Sequence, residues 1–181
     1  MTDIAQKLKE KNIAEYLIYM WQVEDLIRAN GCDLDTLQHN VLKLYPEDQQ
    51  RELKEWYGNL IEMMRAEGVT EKGHLQINRN VIQNLNELHA ALLASTRHPF
   101  YNAAYFKALP FIVELRQKNK HADAVSEIEI CFEGLYGLLL LRLQKKEVSK
   151  DTAKAMDDIA RFVSLLANYY DKDKKGELTD L

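Results

Sequence analysis

Apolar side chains recur every three or four residues along nearly the whole chain, which is the period of an amphipathic α-helix. The periodic segments predict helices at about 4–29, 33–44, 46–68, 75–94, 99–118, 122–146 and 149–170. Glycine and proline, which punctuate strands and tight turns, number only 7 and 3 in 181 residues. We therefore expect an all-α fold, in which a bundle of six or seven helices forms one domain over residues 1–172. A frayed charged tail is expected at 173–181.

Two predicted helices are the most apolar. The first contains NIAEYLIYMWQVEDLIRA and the sixth contains LYGLLLLRL, and both leave little polar circumference. Helices of this kind are buried against several neighbours, so we expect helices 1 and 6 to be central. In the fifth, Pro110 lacks a backbone donor and clashes with the preceding turn, which predicts a kink or a break there.

Composition excludes several classes of protein. The 24 basic and 28 acidic residues are mixed along the chain, and no basic stripe typical of a nucleic-acid binder occurs. The longest apolar runs fall short of a membrane span, and the charged first residues do not resemble a signal peptide. Cys32 and Cys131 are too far apart to indicate a zinc site or a disulfide framework. We expect a cytoplasmic protein.

Sequence patterns for catalysis or metal binding are weak. The histidines show no i, i+4 pair on a helix; they are His39, His74, His89, His98 and His121. No phosphate-binding loop, dinucleotide fingerprint or nucleophile elbow occurs. We therefore expect no metal, no cofactor and no catalytic residues, and we interpret His89 as a histidine at the edge of the core.

Two charged residues lie where the pattern calls for leucine. Arg142 follows the leucine run 138–141 on an apolar face, and Glu24 lies in the middle of the inner stripe of predicted helix 1. A buried charge needs a partner, so we expect Glu24 and Arg142 to meet in the core, with Arg28 or Arg116 nearby. Two alternatives remain open: the pair could form the floor of a pocket, or Arg142 could point outward at its helix C-terminus.

The pocket alternative includes aromatic residues. Tyr16, Trp21 and Tyr105 would line the site. The candidate ligand-binding residues on this hypothesis are Glu24, Arg28, Tyr105, Arg116 and Arg142.

A smaller polar feature lies on the fourth predicted helix. Asn78 lies near its apolar face, and His74 and Arg79 are close by in sequence. A buried amide needs hydrogen-bond partners. A satisfied helix cap or a bridge between helices is the more common role of such an amide, and a polar cluster of these three side chains beside the connection at 68–74 is the alternative.

The third predicted helix offers a candidate interaction face. Trp56, Tyr57 and Met63, together with Met64, share one stripe. Large aromatic and methionine side chains are enriched in binding surfaces, although such stripes more often belong to the core.

Four long segments are distinctive as a set: NIAEYLIYMWQVEDLIRAN, EWYGNLIEMMRAEGVTEKGHLQINRNVI, FYNAAYFKALPFIVELR and EIEICFEGLYGLLLLRLQKKEVS. In them the chain resembles an uncharacterised bacterial all-helical family, one of the domain-of-unknown-function families. The resemblance covers about residues 4–170, with little likeness at 31–50 and 117–124. It implies a small bacterial cytosolic helical protein, and it supplies no activity, ligand or catalytic residue.

These observations favour a non-enzymatic role. We expect a helical binding or interaction protein whose partner is another protein or a second copy of itself, in a homodimer. A small-molecule-binding bundle with a polar pocket around Glu24 and Arg142, with or without an enzymatic activity, is the alternative.

Overall fold

Eight α-helices form the part of the chain that the computed structural model describes, residues 2–118 and 125–178. They are α1 (Asp3–Lys11), α2 (Ile13–Ala29), α3 (Leu34–Asn40), α4 (Glu47–Ala66), α5 (Gln76–Ala94), α6 (Pro99–Lys118), α7 (Glu127–Leu143) and α8 (Lys150–Lys174), with a 3-10 turn at Leu42–Leu44. These ranges contain no strand, which confirms the all-α class. The count of eight corrects the expected six or seven.

The additional helix arises at Asn12, where predicted helix 1 divides into α1 and α2. Asn12 adopts an extended conformation, with φ −157° and ψ 102°. Its side-chain oxygen accepts the N–H groups of Ala14 and Glu15, at 3.0 and 3.3 Å. Asparagine is a preferred N-cap, so this residue ends one helix and starts the next although the apolar pattern continues across it.

Helix α6 runs without interruption through Pro110, so the expected break does not occur. Helix α7 ends at Leu143, three residues before the predicted end. There Lys145 takes a left-handed conformation with φ +55°, and the N–H of Lys146 bonds to the carbonyl of Leu141 at 2.9 Å. This is a common C-terminal cap, and it stops the helix. The predicted start of α7 at 122 lies outside the described residues.

Helix α8 reaches Lys174, so the first residues of the predicted frayed tail are helical. Gly176 has φ +70°, and the N–H of Glu177 bonds to the carbonyl of Lys172 at 2.9 Å. This geometry satisfies the last carbonyls of the helix. Residues 179–181 lie outside the described part of the chain.

The chain divides into two compact units, Met1–Val81 and Ile82–Leu181, with the division inside α5. In the first unit, α1 packs on α2, while α3 and the 3-10 turn pack on α4. Its most deeply buried large side chains are Leu17, Met20, Trp21, Ile27, Leu37, Leu42, Ile61, Met64 and Leu75. The expected single domain, with helices 1 and 6 at its centre, stays a prediction.

In the second unit, α8 packs against α6 and α7, which also contact each other. Three aromatic side chains, Tyr101, Phe132 and Phe162, are completely buried here. Across both units, no helix among the described residues combines the length and apolar character that crossing a bilayer requires.

Candidate functional site

The first candidate site is built around Glu24 on α2. Its side chain is 0% exposed, which confirms the expectation of a carboxylate in the apolar interior. Burying an ionised carboxylate is costly unless donors replace the water that it loses. Glu24 therefore requires hydrogen-bond donors from the surrounding protein.

Three hydrogen-bond partners of Glu24 in the described part of the chain come from around the start of α5. The Glu24 atom Oε1 accepts the backbone N–H of Leu75 at 2.9 Å and the side-chain Nδ2 of Asn78 at 2.7 Å. The other oxygen, Oε2, lies 2.6 Å from Nδ1 of His74. The carboxylate thus anchors the first turn of α5 to the middle of α2.

Packing and geometry fix the two side-chain partners. The imidazole of His74 stacks on the ring of Trp21, with centroids 4.1 Å apart and planes 11° from parallel. Asn78 is completely buried, and donation to Glu24 sets its amide orientation because only the NH2 group can donate. His74 and Asn78 thus both contact Glu24 and bridge α5 to α2, whereas Arg79, the third residue of the alternative cluster, is exposed.

Arg28 extends the same network. Its Nη2 lies 4.0 Å from Glu24 Oε2, and its Nη1 donates to Asp25 at 2.8 Å. The guanidinium also donates to the carbonyl of Val69, at 3.2 and 3.4 Å, and to the carbonyl of Gly73. Arg28 therefore fastens the connection between α4 and α5 to α2.

The network is suited to holding backbone in place. Both carboxylate oxygens are engaged by protein donors, and the burial of nearby Tyr16, together with the Glu24 charge, raises the pKa of the tyrosine. The groups bonded to Glu24 are a backbone amide, a side-chain amide and an imidazole. Among the described residues, no group of three histidine, cysteine or acidic side chains could hold a metal ion.

Arg142 is not the buried partner of Glu24. It is exposed in the last turn of α7, and the next residue, Leu143, is 66% exposed. The last turn of α7, which the sequence pattern placed on an apolar face, is therefore exposed to solvent at Arg142 and Leu143. The alternative in which Arg142 points outward at a helix C-terminus agrees with the structure.

Two other candidate ligand residues lie in the second unit. The hydroxyl of Tyr105 donates to Glu127 Oε2 at 2.8 Å, and burial together with this bond raises the pKa of Tyr105 to about 12. Arg116 donates to the carbonyl of Val125 at 3.2 Å. Sequence reasoning missed this contact, because nothing local to Glu127 signals a tyrosine 22 residues away.

His89 is buried in the second unit. Its Nδ1 shares a 2.6 Å hydrogen bond with the hydroxyl of Tyr101, and its ring makes edge contacts with Tyr105 and Phe162. Burial lowers the pKa of His89 below its usual 6.5, partly opposed by the charge of Glu127. The histidine is therefore neutral in the folded protein at pH 7.

The interaction face predicted on α4 is not exposed. Trp56 and Tyr57 are only 8% and 4% exposed, and their rings contact each other edge to face. Met63 is half-buried. A Cβ added at Gly58 would lie 3.3 Å from Leu34, which shows how closely this part of α4 approaches α3.

Exposed apolar side chains occur on α6, as well as at Ile4, Leu44 and Leu143 elsewhere in the chain. Phe100 and Phe106 are 83% and 63% exposed, and Val113 is 43% exposed. Ala103 and Pro110, between them, are also exposed. We call these five residues the α6 stripe. The stripe lies on the side of α6 away from Tyr101, Tyr105 and Ile112, which are buried.

The comparison with family models decides which family the chain represents. A family described as domain of unknown function DUF4924 matches residues 2–177. The chain belongs to this family. The match confirms the resemblance and extends it over nearly the full length of this DUF4924 protein. No curated protein and no solved structure matches the chain.

Replacing Glu24 should destabilise this DUF4924 protein. Glu24→Leu removes the acceptor of three donors, so we expect the free energy of unfolding to fall by about 3 kcal/mol. The matched variant Arg142→Leu should change it by less than about 0.5 kcal/mol, because Arg142 is exposed. Urea denaturation followed by circular dichroism measures both. An unchanged free energy of unfolding in Glu24→Leu, or an equally large decrease in Arg142→Leu, would contradict the assigned contacts.

Stability should decrease in mild acid because of His89. Its folded pKa is lowered, so below about pH 6.5 the unfolded chain takes up a proton that the folded chain resists. The contribution of neutral His89 to the unfolding free energy is complete above about pH 6.5 and is lost as the pH falls below that value. Relative to His89→Gln, the unfolding free energy of the wild type should decline from pH 7 to 5, by at most about 1.4 kcal/mol per pH unit.

Urea titrations at several pH values measure this difference. His39→Gln is the matched control, since His39 is exposed. Its unfolding free energy should follow that of the wild type at every pH. If the wild type and His89→Gln kept a constant difference across this range, the neutral, buried state of His89 would be wrong.

Proposed function

We propose that this DUF4924 protein is a non-enzymatic helical interaction protein, and that the α6 stripe is its docking surface. The observation that carries the proposal is the exposure of two phenylalanines on one helix, at 83% and 63%. Burying such side chains against a partner is favourable, by about 25 cal/mol for each Å² of apolar surface.

The stripe is continuous along α6. Steps of three, three, four and three residues separate Phe100, Ala103, Phe106, Pro110 and Val113, so each lies on the turn next to its neighbour. At 1.5 Å per residue the stripe is about 20 Å long. Contiguous apolar surface of this kind is characteristic of binding sites, whereas single exposed apolar residues are ordinary.

One side of α6 packs in the interior of the second unit, and the opposite side carries the stripe. Its inner side supplies Tyr101, Tyr105 and Ile112 to the buried interior of the second unit. The stripe side is therefore not needed to complete that interior. A helix that is apolar on both sides has one side left for a partner.

The cellular setting is part of the proposal. Cys32 and Cys131 are both free and buried, which suits a reducing compartment. Together with the bacterial family that the sequence resembles, this supports the cytoplasm of a bacterium. The partner would be another protein or a second copy in a homodimer.

The pocket around Glu24 and Arg142 is less well supported. Glu24 has both oxygens engaged by His74, Leu75 and Asn78, and Arg142 is exposed at the end of α7. A ligand bound to Glu24 would have to displace protein donors that already satisfy it. The observations therefore favour interaction over small-molecule binding.

Site-specific photocrosslinking in the source cells tests the proposed surface. With a benzophenone amino acid in place of Phe106, illumination should give a discrete adduct, because the side chain would be covered by the partner. The same amino acid at Tyr45, which is also partly exposed but lies in the first unit, is the matched control and should give none.

Mass spectrometry of the adduct identifies the partner and the crosslinked peptide. A defined protein attached at position 106, and not at 45, supports the docking surface. Failure to form any adduct at 106, or the same adduct from both positions, would contradict it.

A further inference from the structure

We infer that the groove between α1 and α4 binds a small organic cation, in which an ammonium group is carried on an apolar body. The groove lies entirely in the first unit, whereas the α6 stripe lies in the second, so this site is additional to the proposed docking surface. Three properties of the groove support the inference: its apolar walls, its unpaired carboxylates and its tyrosine residues.

The groove is a concave surface with apolar walls. Its volume is about 340 Å³, near the lower end of the range for small-molecule sites. Ile4 and Tyr45 line it and are 54% and 39% exposed, and the half-buried Leu53 completes the apolar part of the lining. The apolar body of a ligand would cover surface that the folded chain leaves in water, which is favourable.

Two carboxylates, those of Asp3 and Glu52, also line the groove. Asp3 lies in the first turn of α1, where a negative charge stabilises the helix. Glu52 lies beyond the first turn of α4, so the helix dipole does not account for it. Its neighbours one turn away on α4 include Asp48 and Glu55, which are acidic as well. A cation in the groove would offset this repulsion between like charges.

Nearby basic side chains do not neutralise the two carboxylates. Neither Asp3 nor Glu52 forms an ion pair with a residue in the described part of the chain. Lys7 follows Asp3 by one turn of α1, but it is exposed and does not pair with it. The other basic residues close in sequence also lie outside the lining; they are Lys43, Arg51 and Lys54. The groove is therefore negatively charged, which is complementary to a cation.

Tyrosine residues at the groove also suit a cation. Tyr45 is part of the lining, and the face of an aromatic ring attracts ammonium groups. Burial raises the pKa of Tyr19 and Tyr57, and the nearby Tyr45 hydroxyl raises both further. Tyr19 and Tyr57 are therefore uncharged at pH 7. An ammonium group beside Tyr45 would meet neutral aromatic side chains and acidic groups, with no positive charge in the lining to oppose it.

An NMR titration of the full chain with 2-phenylethylammonium tests the site. Two analogues with the same ring and no positive charge, 2-phenylethanol and 3-phenylpropionate, are the ligand controls. The ammonium should shift the amide signals of Ile4, Tyr45 and Leu53. It should bind about fivefold more tightly than the alcohol, because two exposed carboxylates attract it. The anion should bind more weakly than the alcohol, and added salt should reduce these differences.

Substitutions separate the charge of the groove from its shape. Glu52→Gln should weaken binding of the ammonium by about threefold and leave binding of the alcohol unchanged, since the side chain keeps its size. Ile4→Ala should weaken binding of both ligands, because it removes part of the apolar wall. Glu62→Gln is the matched control: Glu62 is on the same helix, its side chain is 72% exposed and it lies outside the lining. This variant should bind both ligands as the wild type does.

Three results would overturn the inference: no shift of the groove signals with the ammonium, equally tight binding of the alcohol, or an equal effect of Glu62→Gln and Glu52→Gln. Equal binding of the two ligands would leave an apolar groove without a preference for cations. None of these results bears on the α6 stripe, which is tested separately by crosslinking at position 106.

Discussion

One buried carboxylate anchors the start of α5 to α2 in the first unit. Glu24 lies in the middle of α2 with no exposed surface, and a carboxylate in that position must find donors or lose much of the stability of the unit. It finds them in the first turn of α5, through the backbone of Leu75 and the side chains of His74 and Asn78. The connection from α4 and the start of α5 therefore depend on this group, with Arg28 securing the carbonyls of Val69 and Gly73.

The sequence predicted the anomaly correctly and its partner wrongly. A carboxylate on an apolar stripe signals a buried charge, and Asn78 on the next apolar face signals a buried amide, so both halves of the contact were visible. We paired Glu24 with Arg142 because the two residues carry opposite charges and both lie on apolar faces. A carboxylate is satisfied equally by neutral N–H donors, including a backbone group that no side-chain pattern reveals. Arg142 is exposed near a helix end and reaches water there.

The same contrast appears on the surface. Periodicity identified the helices well, missing mainly the division at Asn12, yet the stripe on α4 that it offered as a candidate face has buried aromatic residues. Trp56 and Tyr57 lie on the single apolar side of α4, and both are buried in the core. Helix α6 is apolar on two sides, and only one can face the interior. The period of apolar residues alone does not show which of the two sides of α6 is buried, because that depends on packing with α7 and α8.

Hydrogen exchange at the backbone of Leu75 tests the central contact most directly. This amide precedes α5 and has no acceptor within the helix, so Glu24 is what protects it. The neighbouring amide of Gln76 bonds to Glu67 at the exposed surface and is the internal reference. We predict slow exchange at Leu75 and fast exchange at Gln76 in the wild type, measured by NMR. Exchange at Leu75 as fast as at Gln76 would contradict the account.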